Sequence, residues 1–227
     1  MSSNFHPDGT LFIISGPSGA GKTTLINEVR KELEPLGLAL YFSVSHTTRR
    51  ARTGEAPGKS YHFVTDQEFT EMAAAGKFLE WAHVHDHRYG TSRAEVVDRL
   101  KSGQDVILDI DYQGANQVSK HADLDERKLQ VFIFPPSLEA LERRLRDRGL
   151  NTEEEIETRL RKAIDEINAG KEFYHYIIIN DDLKVATACL KSAIIAKKLQ
   201  TKVALEAIDK MAERFKEERD GRIARGR

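Results

Sequence analysis

The chain has one cysteine, one tryptophan and six prolines in 227 residues, and its formal net charge is only −1. A single thiol, Cys189, excludes an intrachain disulfide; it falls in an apolar-periodic stretch and is expected in the core. No apolar run reaches the ~18 residues that a membrane helix needs. The polar start from Met1 to Gly9 does not read as a signal peptide. These absences exclude a membrane partner and give a reducing, cytoplasmic setting as the default. Near-neutral charge removes any global attraction to nucleic acid or anionic lipid. Phosphate recognition must therefore come from local clusters of arginine and lysine. No internal repeat or long low-complexity tract breaks the chain.

What is present is ordinary for a globular protein: 31% charged and 40% hydrophobic residues. A chain of this size can bury roughly 70–75% of its unfolded surface in one core. Apolar runs predict strands at 11–15, 39–44, 106–111, 130–134 and 176–179, and a looser alternation suggests another at 78–85. Helices are predicted at 66–75, 92–101, 137–147 and 152–168, with the rest helical after 179. Residues 45–61 read as a polar loop or a small inserted sheet. Strands alternating with helices predict an α/β fold, a parallel sheet covered on both faces.

The run Gly16-Pro17-Ser18-Gly19-Ala20-Gly21-Lys22-Thr23 fits G-x-x-x-x-G-K-[ST]. It lies between a buried strand, Leu11-Phe12-Ile13-Ile14, and a helix with Leu25, Ile26, Val29 and Leu33 at helical spacing. A polyphosphate needs many donors close to its oxygens. Glycines let the backbone wrap tightly and turn its N–H groups inward, and the helix N-terminus adds a favourable dipole. Lys22 supplies positive charge for the β- and γ-phosphates and Thr23 a hydroxyl for Mg²⁺. This loop is shared by kinases, ATPases and GTPases, so its neighbours decide function.

The segment from Ser45 to Tyr61 is dense in donors. Arg49 and Arg52 can each present a planar fork to a phosphate, and the Tyr61 hydroxyl adds a neutral donor. Its pattern, S-x-T-T-R-x-x-R-x-G-E-x-x-G-x-x-Y, closely resembles the signature of the guanylate kinase family, and the resemblance extends over residues 9–199. Phe78-Leu79-Glu80-Trp81-Ala82, Tyr89-Gly90-Thr91, Ile107 to Gly114 and Ile179-Asn180-Asp181-Asp182 resemble further family landmarks. The clearest local departure is His87-Arg88 before Tyr89, where an Asn-Tyr type pair is expected.

The resemblance implies a P-loop three-layer fold. Its core would comprise 9–44, 92–136 and 170–199, with a small GMP-binding insertion at 45–91 and a helical lid at 137–169. It implies transfer of a phosphoryl group from ATP to GMP, with dGMP as a further acceptor and Mg²⁺ as cofactor. ATP would be bound by Gly16, Pro17, Ser18, Gly19, Ala20, Gly21, Lys22, Thr23, Thr24 and Asn180. GMP would be bound by Ser45, Arg49, Arg52, Glu55, Tyr61, Glu80, Tyr89, Thr91 and Asp111. Thr23 and Asp109 would serve the metal, and Lys22, Arg49, Arg144, Arg148 and Arg159 the transferring phosphoryl group. No nucleic-acid or membrane partner is implied, and the protein would be a monomer or small homo-oligomer.

The chemistry of the residues agrees with these roles. Guanine presents N1–H and N2–H₂ side by side; an ionised Glu80 offers two matching acceptors, whereas adenine offers no such donor pair. Asp109 and Asp111, two apart, would share one face if both lie on a strand. Arg144 and Arg148 lie four apart on one helical face, with Arg159 on the next helix. Two other readings stay open: a non-catalytic phosphopeptide-binding scaffold, and a kinase of another phosphorylated acceptor. His83, His85 and His87 alternate and would share a strand face, but no cysteine accompanies them. Beyond 199, Ala204, Ile208, Met211 and Phe215 form a narrow apolar stripe, expected to pack on the chain's own domain or, alternatively, to make a subunit contact, with a polar, frayed end from Lys216.

Overall fold

The computed structural model describes residues 9–84, 86–147, 152–169 and 173–225. Five parallel strands form the central sheet: β1 (Leu11–Ser15), β2 (Leu40–Phe42), β7 (Asp105–Asp109), β8 (Lys128–Phe134) and β9 (Tyr176–Ile179), in the order β2-β7-β1-β8-β9. β1 is central, and all five of its residues are buried. Its side chains alternate between two layers. Phe12 and Ile14 pack with Leu25, Ile26 and Val29 of α1 (Lys22–Leu33) and with Leu190 and Ile194 of α7 (Leu183–Lys198). Leu11 and Ile13 pack with Val96 and Leu100 of α3 (Arg93–Lys101) and Val118 of α4 (Tyr112–Ser119). Each such fully buried side chain contributes about 1.5–3 kcal/mol relative to exposure.

A second sheet of four short strands has the order β4-β3-β6-β5. It comprises β3 (His46–Thr47), β4 (His62–Phe63), β5 (Phe78–Val84) and β6 (His87–Ser92), with α2 (Asp66–Ala74) between β4 and β5. Thr65 and Glu68 start α2 with a reciprocal capping box. Arg88 staples α2 to β6. It pairs with Asp66 at 2.6 Å, donates to Thr70 Oγ1 at 2.9 Å and lies 4.7 Å over the Phe69 ring. A helical pair, α5 (Leu138–Asp147) and α6 (Glu153–Ala169), packs through Leu141, Leu145, Ile156 and Ala163.

Several expectations are corrected. β7 ends at Asp109, and Asp111 instead caps the N-terminus of α4, accepting from Gly114 N at 2.9 Å. The two aspartates therefore do not share a strand face; α4 itself was not foreseen, nor was β6 as a separate strand. Cys189 is exposed, because α7 turns Ala186, Leu190, Ala193 and Ile194 inward and Cys189 off that face. α8 runs from Thr201 to Arg225. Its Ile208, Met211 and Phe215 are exposed, so the apolar stripe is not buried against the domain at these three positions. His83 and His87 sit on opposite arms of the β5–β6 hairpin, and His85 lies outside the described residues. No helix among the described residues is long and apolar enough to cross a membrane.

Candidate active site

The loop between β1 and α1 is shaped by three glycines with positive φ: Gly16 (140°), Gly19 (96°) and Gly21 (89°). A Cβ on Gly16 would stand 2.2 Å from Ile133 O, so only glycine lets the loop cross β8 this closely. Lys22 Nζ donates to Gly16 O at 2.8 Å, folded over the loop it serves, and stands 3.8 Å from Asp109. Thr23 Oγ1 donates to Asp109 Oδ2 at 2.6 Å. The end of β7 and the start of α1 thus bring a hydroxyl and a carboxylate together. These hard oxygen donors suit Mg²⁺, which takes one or two protein ligands and completes its shell with water and phosphate. Thr24, next along α1, is exposed.

Asn180, at the end of β9, locks the loop from behind. Its Nδ2 donates to Ala20 O at 2.8 Å and its own N–H to Phe134 O at 2.8 Å. Its carbonyl accepts from Arg144 Nη2 at 2.8 Å. This buried amide is thereby engaged with the loop backbone. Arg144 reaches Asn180 from α5, whose Leu141 and Leu145 pack on Gly19. Arg144 Nη1 is buried and makes no hydrogen bond among the described residues. Arg159 comes from α6 and donates to Ser18 Oγ at 2.7 Å. Arg159 therefore meets the loop directly and Arg144 meets Asn180 behind it; Arg148 lies outside the described residues.

The second sheet holds the other half of the site. A bulge at Leu79 shifts the β5–β6 register, so that Glu80 rather than Leu79 stands opposite Thr91. The shift lets two consecutive residues both be buried: Leu79 in the core and Glu80 in the site. α4 fixes this segment. Gln117 accepts from Trp81 N at 3.2 Å and donates to Trp81 O at 2.6 Å, and His121 Nε2 lies 3.1 Å from Leu79 O. Thr91 Oγ1 donates to Glu80 Oε1 at 2.5 Å. Gly114 leaves room for Oε2, since a Cβ there would stand 2.3 Å from it. Burial raises the Glu80 carboxyl to about 7, Thr91 opposing the shift and Asp111 adding to it. Asp111 is also raised by burial, opposed by the Gly114 N–H.

Arg49 is held ready by its neighbours. It pairs with Glu55 at 2.7 Å, donates to Tyr89 Oη at 3.2 Å and lies 5.3 Å over the Tyr61 ring. Glu55 holds Arg49 further above its ordinary range and is itself lowered by that pairing. Glu55 Oε2 also accepts from Arg52 N at 2.8 Å. A carboxylate would repel a phosphate, so Glu55 serves the site by orienting Arg49 and the loop of Arg52. Tyr61 and Tyr89 stand edge to face at 5.7 Å beneath that guanidinium. Ser45 carries the neighbouring backbone, accepting from His62 N at 2.9 Å.

The sequence reading missed Gly114 and Gln117 as supports of Glu80. The only sequence signal for them was position: three and six residues after Asp111, on one face of a helix that had not been foreseen.

A parallel sheet, a glycine loop wrapping a helix N-terminus and two arginines from a helical pair define a P-loop phosphotransferase. Residues 8–197 match the guanylate kinase family model. The guanylate kinase of Desulfotalea psychrophila is 47% identical over 194 residues, covering 86% of this chain and 92% of that protein. That of Pseudomonas fluorescens is 46% identical over 197 residues, covering 87% and 92%. The crystal structure of guanylate kinase from Anaplasma phagocytophilum superposes with a TM-score of 0.68 at 31% identity, covering 86% of this chain and 89% of that one. The chain belongs to the guanylate kinase family.

Proposed function

We propose that the protein transfers the γ-phosphoryl group of ATP to GMP, yielding ADP and GDP. The observation that carries this reading is the buried Glu80 carboxyl, held between Thr91 and Gly114 across from a phosphate-binding loop. Its two oxygens match guanine N1–H and N2–H₂, with Thr91 and Asp111 completing the base edge and Ser45 beside them. Arg49, Arg52, Tyr61 and Tyr89 would take the GMP phosphate, with Glu55 orienting Arg49.

In the reaction an oxygen of the GMP phosphate forms the new P–O bond as the bond to the β-phosphate oxygen of ATP breaks and ADP leaves. The attacking oxygen is already anionic, so no strong base is needed; the work is positioning and neutralising charge. Lys22 and the loop N–H groups would hold the ATP phosphates. Arg144 and Arg159 would neutralise charge as the lid excludes water and suppresses ATP hydrolysis. Mg²⁺ would be held by Thr23 and by Asp109 through water, and when bound it neutralises charge on the β- and γ-phosphates. All these residues come from one chain, so a monomer suffices for the site. A cytoplasmic setting fits ATP and GMP as substrates and a lone thiol.

The test is product identification. Incubation with ATP, GMP and magnesium should give GDP and ADP in equal amounts by ion-exchange chromatography. ADP without GDP would contradict the reading.

A further inference from the structure

The face of α6 that sends Arg159 to Ser18 continues two turns further on. Glu166 follows Arg159 by seven residues, which returns it to the same face. Its carboxyl lies within electrostatic reach of both Lys22 and Asp111, with Lys162 and Asp165 also near. Oε2 is buried and makes no hydrogen bond among the described residues. The Tyr174 hydroxyl is also buried, beside the Ser15 side chain, and it too senses Glu166 and Asp111. The Tyr174 ring is clamped by Phe132 at 5.0 Å and Phe173 at 4.4 Å, so its hydroxyl is fixed in place. Burial raises both groups, the Glu166 carboxyl to about 7.

Buried polar atoms without partners cost free energy, on the order of 1–3 kcal/mol each, unless a ligand completes them. Neither group has a part in the base, phosphate or metal contacts described above. Their position suggests the ligand group. A base at Glu80 and Asp111 and a transferring phosphoryl group at Lys22 leave the acceptor's own phosphate and its ribose between them. The phosphate goes to Arg49, Arg52, Tyr61 and Tyr89, and the ribose is the part that a carboxylate, which would repel a phosphate, can take. A carboxylate accepts hydrogen bonds from two vicinal hydroxyls, as acidic residues do for ribose in dinucleotide folds.

We propose that Glu166, assisted by the Tyr174 hydroxyl, binds the ribose 2′- and 3′-hydroxyls of the acceptor nucleotide and so favours GMP over dGMP. This rests on the phosphotransfer reading given above. The lid helix would then close on both substrates at once, Arg159 toward the phosphates and Glu166 toward the sugar.

The test compares kcat/KM for GMP and dGMP in wild type, Glu166→Gln and Tyr174→Phe, with folding checked by thermal melting. Wild type should favour GMP by about tenfold. Glu166→Gln should cost GMP about tenfold and dGMP much less, bringing the ratio close to one, with KM for ATP unchanged. Tyr174→Phe should move the ratio in the same direction by a smaller factor, and it carries the test if the glutamine variant does not fold. An unaltered ratio in the folded variants would overturn the proposal, whatever their absolute rates. A wild type that phosphorylates dGMP as well as GMP would overturn it too, leaving the kinase reading intact. A wild type that phosphorylates neither would remove the acceptor reading and this inference with it.

Discussion

Gly114 and Glu80 meet with no space to spare: a Cβ on Gly114 would stand 2.3 Å from Glu80 Oε2. The first turn of α4 therefore sets where the carboxyl can lie, while Thr91 pins its other oxygen. Gly114→Ala should leave the fold intact, since alanine favours the helix, but displace Glu80. The expected result is a loss of kcat/KM for GMP on the order of tenfold or more with KM for ATP unchanged. Steady-state kinetics on both substrates checks it; equal losses for ATP and GMP would count against this assignment.

Glu80 also predicts a pH dependence. Its carboxyl stands at about 7, raised chiefly by burial. Guanine's two donors pair with the ionised form, so GMP binding should expel a proton. kcat/KM for GMP should fall as pH drops below about 7, approaching tenfold per unit, and level off above it. For the ligand-free fold the sign is opposite. A carboxyl raised above its ordinary 4.5 contributes stability that is present below that value and lost as pH rises through about 7. A GMP profile flat between pH 5.5 and 8 would contradict the assignment.

Asn180 ties the phosphate loop to the end of the sheet. Asn180→Ala would leave the buried Ala20 carbonyl without its donor. The cost should be about 1–3 kcal/mol, a fall of roughly 2–10 °C in Tm. KM for ATP should rise several-fold with KM for GMP nearly constant, read by calorimetry and kinetics together. An unchanged melting curve would show that this bond contributes nothing.

Lys22 already lies over the loop, 2.8 Å from Gly16 O. Lys22→Ala should lower kcat by about 10³-fold or more, because its charge acts on phosphates during transfer. GMP binding, measured by calorimetric titration, should change by less than about twofold, since the base and phosphate contacts lie on the other sheet. Near-normal turnover in a folded variant would remove the loop from the account.

The loop and its strand and helix were legible because phosphate binding needs glycines, a lysine and a hydroxyl at fixed spacing within one local unit. Arg49 was legible as a phosphate donor from its donor-dense segment, whereas Glu80 and Tyr89 were legible only through the family resemblance, since nothing in Phe78-Leu79-Glu80-Trp81 alone predicts the bulge that buries two successive residues. Asp111 was read as strand because Ile110 continues the apolar run. The local competition between strand and helix cap is settled by Gly114, which donates its N–H to that carboxylate. Cys189 was misplaced because α7 is apolar on more than one face. Glu166 and Gln117 act across distances of tens of residues, where helical spacing names a face but not what that face meets.

The most direct measurement of the central claim, that a buried carboxylate reads guanine opposite a phosphate-binding loop, is coupled ADP release across GMP, AMP, CMP and UMP for wild type and Glu80→Gln. The glutamine keeps one acceptor but turns an NH₂ toward a guanine donor. Leaving one such group unpaired costs about 1–3 kcal/mol, more where the lost partner was charged, so GMP kcat/KM should fall roughly ten- to several-hundred-fold with KM for ATP unchanged. Wild type should use GMP and leave AMP nearly untouched, because adenine lacks both donors. Comparable use of AMP and GMP by wild type, or GMP kinetics unaltered in Glu80→Gln, would contradict the claim.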